Sequence, residues 1–231
     1  TLDACADVKG GITKGQRRAA GTVLLDVPYL HVANVQRGYL DLSDVRTIAA
    51  TPQEVAQLRL ETGDVLFNEG GDRDKLGRGW VWNGEIADCI HQNHVFRARL
   101  MSTALRHRFL SHYGNSSGQR YFFEEGKHTT NLASINMTKL KALPVPLPPL
   151  AEQDRLIDEV ERLLSVASAA DASIQNEARR CARLRQAILK WAFEGRLVDQ
   201  EPQDEPATNL LARIRSGRAA LPPRKVPRGR G

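Results

Sequence analysis

A long heptad repeat in the second half of the sequence constrains the fold more than any other feature. Between residues 156 and 191, positions spaced alternately four and three residues apart are apolar at ten of eleven places. These seam positions are Leu156, Val160, Leu163, Ala167, Ala170, Ile174, Glu177, Cys181, Leu184, Ile188 and Trp191. A period kept for about five heptads predicts a left-handed coiled coil. One helix cannot bury its own seam, so we expect a partner: a second copy, another chain, or a further part of this protein.

The predicted helix runs from about Glu152 to Phe193 and spans roughly 60 Å at 1.5 Å per residue. Gly195 is expected to end it, and residues 207–214 predict a short second helix. Upstream, Leu143–Leu150 (LPVPLPPL) holds four prolines, which neither a helix interior nor a central strand accommodates. The sequence therefore predicts an α+β protein with a mixed α/β domain at 1–147, a helical region at 148–216 and a tail at 217–231.

The net charge of +6 is unevenly distributed along the chain. Residues 1–150 carry 18 basic and 15 acidic side chains, residues 151–212 carry 8 and 12, and residues 213–231 carry 7 and none. The tail also contains Pro222, Pro223 and Pro227, so it cannot bury a core and is predicted to be disordered. It is either a nonspecific arm for DNA or RNA or a solvated end.

Composition and missing motifs exclude several classes of protein. No run of 18 apolar residues and no basic-then-apolar leader occur, so neither a membrane partner nor secretion is expected. Three widely spaced cysteines, Cys5, Cys89 and Cys181, indicate reduced thiols in a cytoplasm. The sequence lacks a P-loop, a dinucleotide fingerprint, a zinc-protease helix motif, a nucleophile elbow and the proline loop of amino-methyltransferases. We therefore expect no catalytic residue and no cofactor.

Local patterns predict several elements in the first domain. Thr51–Glu54 (TPQE) is a capping box with proline at the first helical position. Asp64–Asn68 and Val95–Leu100 are predicted strands.

Three further local predictions concern a hairpin, a helix and a strand. The Asn83-Gly84 dipeptide between two apolar stretches, 78–82 and 85–90, predicts a β-hairpin. Ser102 is predicted to cap a helix that carries Leu105, Phe109 and Tyr113 on one face. Residues 121–123 predict a short strand.

Two clusters offer metal ligands. The segment Cys89–His94 (CIHQNH) holds three candidate zinc ligands but lacks a second close pair, so the other interpretation is a buried thiol at a strand end before a polar loop. Glu69, Asp72 and Asp74 could hold Mg²⁺ in a nuclease, although basic side chains and four glycines surround them. We expect no metal at either place.

Three polar loops have the composition of DNA-contacting segments. They are Gly10–Arg18 (GGITKGQRR), Gly70–Gly79 (GGDRDKLGRG) and Lys127–Asn131 (KHTTN). Glycines allow close backbone approach, and arginine and lysine suit phosphates and guanine. The amides of Gln92 and Asn93 match the donor and acceptor of adenine. Trp80 and Trp82 are interpreted as core or hairpin-face residues and not as platforms for base stacking.

Five segments of the chain together resemble a known family. Pro146–Gln153 (PLPPLAEQ), followed by a heptad helix that ends in Ile188–Val198 (ILKWAFEGRLV), resembles the conserved region of type I restriction–modification specificity subunits. Three other segments, Gly63–Trp82, Cys89–Leu100 and Thr129–Leu143, resemble a target recognition domain of that family more loosely, because such domains vary with their DNA target. The resemblance extends from about Leu2 to about Arg215.

The resemblance implies a non-catalytic subunit that recognises DNA. Such subunits carry two recognition domains, each reading half of a split site, separated by antiparallel helices. Adenine methyltransferase subunits dock on that frame, and a restriction (motor-nuclease) subunit can join. Since this chain holds one recognition domain and one helix, it is either the C-terminal half of a longer subunit or a half-length subunit that pairs with itself.

The expected partners are double-stranded DNA, adenine methyltransferase subunits and a second half-subunit or copy through the coiled coil. Candidate phosphate or guanine contacts come from basic side chains, and candidate base-edge contacts from polar ones. Together these candidates are Lys14, Arg17, Arg73, Lys75, Arg78, Asn93, His94, Lys127, His128, Thr129 and Asn131. Two other functions remain open: a coiled-coil scaffold with a protein-binding head, and the Mg²⁺ nuclease.

Overall fold

A computed structural model describes residues 1–15, 17–71, 76–128, 133–199 and 201–220. The chain divides into two compact units, Thr1–Ser165 and Val166–Gly231. The first unit combines sheets with short helices, and a long helix follows them, which confirms the predicted α+β class. The predicted functional boundary at 147/148 stays a prediction, while the first turns of the long helix belong to the compact first unit.

Three small sheets organise the described part of the first unit. A four-stranded sheet has the order β1-β8-β4-β6, and two three-stranded sheets have the orders β3-β2-β7 and β5-β10-β9. The strands are β1 (Ala6–Lys9), β2 (Leu25–Leu30), β3 (Arg46–Ala50), β4 (Val65–Asn68), β5 (Gly70–Gly71), β6 (Gly79–Val81), β7 (Ile90–His91), β8 (Val95–Leu100), β9 (Lys127–His128) and β10 (Ala133–Ser134). The two predicted strands at β4 and β8 are confirmed, and they pair antiparallel at the centre of the largest sheet.

Helices cover the four-stranded sheet and close its core. The helices of the first unit are α1 (Pro52–Leu58), α2 (His107–Asn115), α3 (Gly118–Glu125), α4 (Met137–Lys141) and the first turns of α5 (Leu150–Phe193). Phe67 of β4 packs with Leu110 of α2, Phe122 of α3 and Leu140 of α4 in one buried cluster. Burial of such side chains is the main stabilising contribution to this layer, at about 1.5–3 kcal/mol each.

The predicted hairpin at Asn83-Gly84 is wrong. β6 pairs antiparallel with β4, whereas β7 pairs parallel with β2 in a different sheet. The two strands diverge because their side chains enter different buried clusters: Val81 joins the cluster of Phe67, and Ile90 joins the cluster of Tyr29. Gly84 still adopts the left-handed conformation, with φ of 87°, but it serves a longer connection.

The predicted strand at 121–123 is also wrong, because these residues lie in α3. Phe122 is fully buried, whereas Phe123 is 54% exposed, which is the pattern of a helix with one face on the core. Three consecutive apolar residues are too few to distinguish the helical period from the strand period.

The two predicted helix starts have different outcomes. Thr51 forms the full capping box: the Glu54 amide donates to Thr51 Oγ1 at 3.2 Å, and the Thr51 amide donates to the Glu54 carboxylate at 2.8 Å. Ser102 does not cap α2, which begins at His107. Ser102 Oγ accepts a hydrogen bond from the Ala104 amide within a preceding turn instead.

Gln153 fixes the start of α5 to the segment before α2. Its side chain is fully buried, and Oε1 accepts a hydrogen bond from the Arg106 amide at 2.9 Å. Its Nε2 donates to the carbonyls of Ala104 and Pro148, each at 2.8 Å. Arg106 adds a two-bond ion pair with Asp154. The glutamine of the PLPPLAEQ segment is therefore a buried polar anchor between the proline run and the domain.

The second unit contains the rest of α5 and the helix α6 (Ala207–Ala219). α5 ends as predicted near Gly195, which has φ of 67°, and the Arg196 amide donates to the Trp191 carbonyl at 2.8 Å. This geometry is that of a Schellman motif. α6 extends three residues into the predicted tail, and residues 221–231 lie outside the described part.

The seam of α5 is exposed in the single chain. Every seam position except Val160 is exposed, including Ile174 at 66% and Trp191 at 50%. Polar, charged and alanine side chains occupy most of the other positions of the helix, with exceptions such as Leu164, Val166 and Leu189. The seam is the continuous apolar stripe on which a partner helix would pack. Within the described residues, no helix has the length and hydrophobicity needed to cross a bilayer.

Candidate nucleic-acid interface

A tight turn at Gln92–Val95, called here the central turn, connects β7 to β8. The Val95 amide closes it by donating to the Gln92 carbonyl at 2.9 Å. The Gln92 amide donates to the Leu30 carbonyl at 2.9 Å, and the Asn93 amide donates to the Ile12 carbonyl at 3.0 Å. The backbone of the turn is thus held from several sides, and its tip residues Asn93 and His94 have fixed positions.

The first polar loop joins the central turn through Ile12. The Ile12 amide donates to the His91 carbonyl at 2.8 Å, and Ile12 forms a parallel bridge with Gln92. Gly11 makes this approach possible, because a Cβ atom there would lie 1.8 Å from the His91 carbonyl oxygen. The loop that carries Lys14 and Arg17 therefore starts beside the turn that carries Asn93 and His94.

Glu69 joins the other side of the central turn. Its amide donates to the His94 carbonyl at 2.9 Å, and its own carbonyl accepts from the Ile135 amide at 2.7 Å. Its carboxylate Oε2 lies 2.5 Å from His94 Nδ1. Backbone and side chain together connect the end of β4 to the tip of the turn.

The second and third polar loops meet at the sheet β5-β10-β9. Gly71 of β5 and His128 of β9 both pair with Ala133 of β10. Two neighbouring strand spacings separate them, or about 10 Å. The described ends of the second and third polar loops, at Gly71 and His128, are therefore close to one another. Arg73, Lys75, Thr129, Asn131 and the side chain of His128 lie outside the described part of the structure.

These contacts bring the three polar loops and the central turn to one side of the first unit. We call this surface the loop edge; it comprises the described residues 10–15, 17–18, 69–71, 92–95, 127–128 and 133–134. Lys14, Arg17 and Lys127 are exposed on it, and Asn93 is half-buried. Lysine and arginine side chains on such an edge are suited to phosphate contacts, and amide or imidazole groups to base edges.

Arg78 lies in a different environment from the exposed basic residues. It is half-buried, and its guanidinium donates to the Val32 carbonyl at 3.4 Å. Asn68 donates to the same carbonyl at 3.1 Å and to the Val35 carbonyl at 2.8 Å. This geometry favours a bracing role for Arg78 behind the loop edge, and its predicted contact with DNA stays a prediction.

Cys89 and His91, two of the three candidate zinc ligands, are both buried, whereas the third, His94, is exposed. Burial raises the pKa of the Cys89 thiol to about 12, so it stays protonated and is a poor metal ligand. Burial lowers the pKa of His91 to about 4, and its Nδ1–H donates to the Val95 carbonyl at 2.6 Å. The structure shows a buried thiol at a strand end before a polar turn. Among the described residues, no three His, Cys, Asp or Glu side chains are grouped to hold a metal.

The sequence suggests Glu69 only as a magnesium ligand, whereas the structure pairs its carboxylate with His94. Asp72 and Asp74, its proposed companions, lie outside the described residues. The Glu69–His94 contact joins residues 25 positions apart and no local pattern encodes it. Its sequence signal is weak: a carboxylate just after a buried strand, and a histidine at a turn.

No family model matches the chain. It is 28% identical over 211 residues to the type I restriction enzyme EcoKI specificity subunit of Escherichia coli K12, which covers 87% of this chain and 46% of the relative. It is 33% identical over 211 residues to the EcoBI specificity subunit of Escherichia coli, covering 87% and 44%. The StySPI specificity subunit of Salmonella potsdam is 29% identical over 215 residues.

Two solved structures share the fold. One belongs to a study of complex assembly and conformational transition of the type I R-M system, with a TM-score of 0.59, 23% identity and coverage of 85% of this chain and 45% of that chain. The other is the HsdS subunit of Thermoanaerobacter tengcongensis, with a TM-score of 0.53, 22% identity and coverage of 85% and 44%. The chain spans about half the length of the curated relatives that it matches. In sequence over most of its length, and in fold, this chain is similar to the specificity subunits of type I restriction enzymes.

Proposed function

We propose that this chain is the DNA-recognition part of a type I restriction–modification complex and reads one half of a bipartite double-stranded site. The convergence of three polar loops on the central turn carries this proposal, because it builds one continuous surface from segments far apart in the sequence. Lys14, Arg17 and Lys127 hold phosphates on that surface, and Asn93 and His94 reach base edges.

The helical region is the proposed assembly surface. The exposed seam on α5 takes a second half-subunit or a second copy, which supplies the other recognition domain. Two half-sites joined through a rigid spacer multiply their affinities by effective concentration. Adenine methyltransferase subunits dock on the helical region and perform the chemistry, and a restriction subunit can join them. The chain itself contributes recognition and no catalytic residue.

The first test is a tagged pull-down of the full chain from its native host, with the co-purifying proteins identified by mass. We expect an adenine methyltransferase in near-stoichiometric amount. Methylated adenines are then mapped in cells with and without the gene, and we expect a bipartite motif that loses methylation on deletion.

A matched pair of variants separates assembly from recognition in the same assay. Leu163→Asp, on the seam, should abolish methylation at the motif, whereas Ser165→Asp, on the opposite face of α5, should preserve it. Three results together would overturn the proposal in favour of a scaffold. They are a pull-down that contains no methyltransferase, another protein bound to the seam, and a complex that is insensitive to salt and contains no DNA.

A further inference from the structure

We propose that His94 reads a base through its Nε2 atom, and that Glu69 is the positioning residue that fixes the ring and its tautomer. The group that His94 contacts is an exocyclic amino group of a base, the N4 of cytosine or the N6 of adenine. This inference rests on the proposed DNA-recognition function and specifies one contact within it.

The hydrogen bond between the two side chains determines which ring nitrogen carries the proton. An ionised carboxylate is an acceptor only, so His94 Nδ1–H must donate to Glu69 Oε2 across the 2.5 Å contact. In the neutral imidazole the other nitrogen, Nε2, then has a free lone pair and is an acceptor. A carboxylate that holds one ring nitrogen while the other binds a ligand is the arrangement that orients histidines in metal sites.

The imidazole ring is the more accessible member of the pair. The His94 side chain is 53% exposed and the Glu69 side chain 29%. The two residues occupy the middle of the loop edge, between the Ile12 bridge and the sheet β5-β10-β9. In the major groove, the donors that an acceptor can meet are the amino groups of cytosine and adenine.

The backbone gives the contact the rigidity that base discrimination requires. The His94 carbonyl accepts from the Glu69 amide at 2.9 Å, so main chain and side chain hold the same pair of residues together. The neighbouring Asn93 and Val95 amides have their own backbone partners. A side chain fixed on such a turn keeps the productive geometry better than one on an open loop.

The experiment selects bound sequences from a randomised double-stranded DNA library with the full chain, in the complex purified from its host. The variants are His94→Ala, Glu69→Ala and Glu69→Gln. Asp44→Ala is the matched control, because Asp44 forms an exposed ion pair with Arg46 and lies outside the loop edge. The base frequencies at every position of the motif are the readout.

We expect the wild type to enrich cytosine or adenine at one position of the motif. His94→Ala should reduce that base preference by about fivefold or more, the value of one good base contact. Glu69→Ala should reduce the base preference at the same position and at no other, since it removes the hydrogen bond that holds the His94 ring. Glu69→Gln should retain the preference, because an amide oxygen still accepts from Nδ1–H. A purely structural role for Glu69 would weaken all positions together, and Asp44→Ala should change none.

The outcomes separate this inference from the function on which it rests. If the wild type enriches no motif, the proposed function fails. If it enriches a motif that His94→Ala leaves unchanged, or whose only relaxed position is guanine, the inference is overturned and DNA recognition stands. Relaxation at all positions in Glu69→Ala, with Glu69→Gln equally affected, would overturn the positioning role.

Discussion

His91 lies fully buried beneath the central turn, and its burial should make the stability of the protein depend on pH. Desolvation lowers its pKa from 6.5 to about 4 in the folded chain. As pH falls through about 6.5, His91 becomes protonated in the unfolded chain, whereas in the folded chain it is not protonated until about pH 4. The free energy of unfolding should therefore decrease between these values, by on the order of 3 kcal/mol in total.

Urea unfolding of the wild type and of His91→Gln between pH 4.5 and 7.5 measures this effect. The glutamine amide can donate to the Val95 carbonyl but does not titrate in this range. We expect the free energy of unfolding of the wild type to exceed that of the variant by its full amount above about pH 6.5. This difference should shrink as pH falls. A difference that stays constant across the range would contradict the assignment.

Adjacent glycines offer a sharper residue-level test of how the first loop reaches the central turn. A Cβ at Gly11 would lie 1.8 Å from the His91 carbonyl oxygen, whereas a Cβ at Gly10 would be 3.8 Å from its nearest neighbour. Gly11→Ala should lower the free energy of unfolding by about 2 kcal/mol or more, because backbone must move to make room. Gly10→Ala should be nearly neutral in the same thermal or urea unfolding measurement. Equal effects of the two variants would show that the loop does not approach the turn in this way.

Contacts between single residues were the least predictable part of the structure. The residue type of His94 makes it a candidate for base-edge contacts, but no local pattern indicates the partner that fixes its ring. That partner depends on strand β4 ending beside the central turn, which is a long-range consequence of the sheet order. Likewise the sequence identified the PLPPLAEQ segment, but the three hydrogen bonds of Gln153 follow from tertiary packing.

Among the helices, α5 depends on Gln153 for its attachment to the domain. Gln153→Ala would leave two carbonyls and one amide without their buried partner, at about 1–3 kcal/mol for each unsatisfied group. We expect the free energy of unfolding of the first unit to fall by several kcal/mol. Hydrogen exchange at the Arg106 amide should accelerate, while the exposed neighbour variant Glu152→Ala should change neither. Unaltered exchange at Arg106 would indicate that the anchor is dispensable.

The seam on α5 gives the next prediction. Leu163 is 52% exposed, so Leu163→Asp should abolish assembly through the seam while the first unit stays folded. Light scattering reports the assembly state, and circular dichroism reports the fold. Ser165→Asp, on the opposite face, should assemble as the wild type does. A persistent dimer in Leu163→Asp would remove this seam as the interface.

Elements with local signals were predictable, and those with distant partners were not. The capping box at Thr51 and the Schellman end at Gly195 depend on residues within one turn, so both patterns predicted the structure. The Asn83-Gly84 dipeptide is a strong hairpin signal, but here the flanking strands find partners in β4 and β2. The strand prediction for residues 121–123 was wrong for the complementary reason, because Phe122 reaches the core from one face of a helix.

For the molecule as a whole, the proposed DNA binding should depend steeply on salt. The logarithm of the affinity should fall linearly with the logarithm of the salt concentration. Each phosphate contact that is lost should reduce the magnitude of that slope by about 0.9. Replacing Lys14, Arg17 and Lys127 together by alanine should therefore reduce the slope by about 3 and weaken all sequences alike. Fluorescence anisotropy over a salt series measures this, with Arg46→Ala as the control. A triple variant with the wild-type slope would place the DNA elsewhere.

Architecture at this scale was predictable because it rests on strong periodic and compositional signals. The heptad seam gave the long helix, and the four prolines before it marked the change from mixed domain to helix. The division of the first unit into three sheets was not predictable. It depends on pairings such as β1 with β8, whose strands are about 90 residues apart in the sequence and share no local signal.

The sheet β5-β10-β9 has a consequence for how such a protein can change over generations. Its pairs are made by the main chain, and its strands are two residues long, so the segments 72–75 and 129–132 are joined to a frame that does not depend on their side chains. Substitution or recombination within those eight positions can change their side-chain chemistry without touching the residues that make these main-chain pairs. A lineage built on this plan can acquire a new preference in a single genetic step, without passing through an unfolded intermediate form.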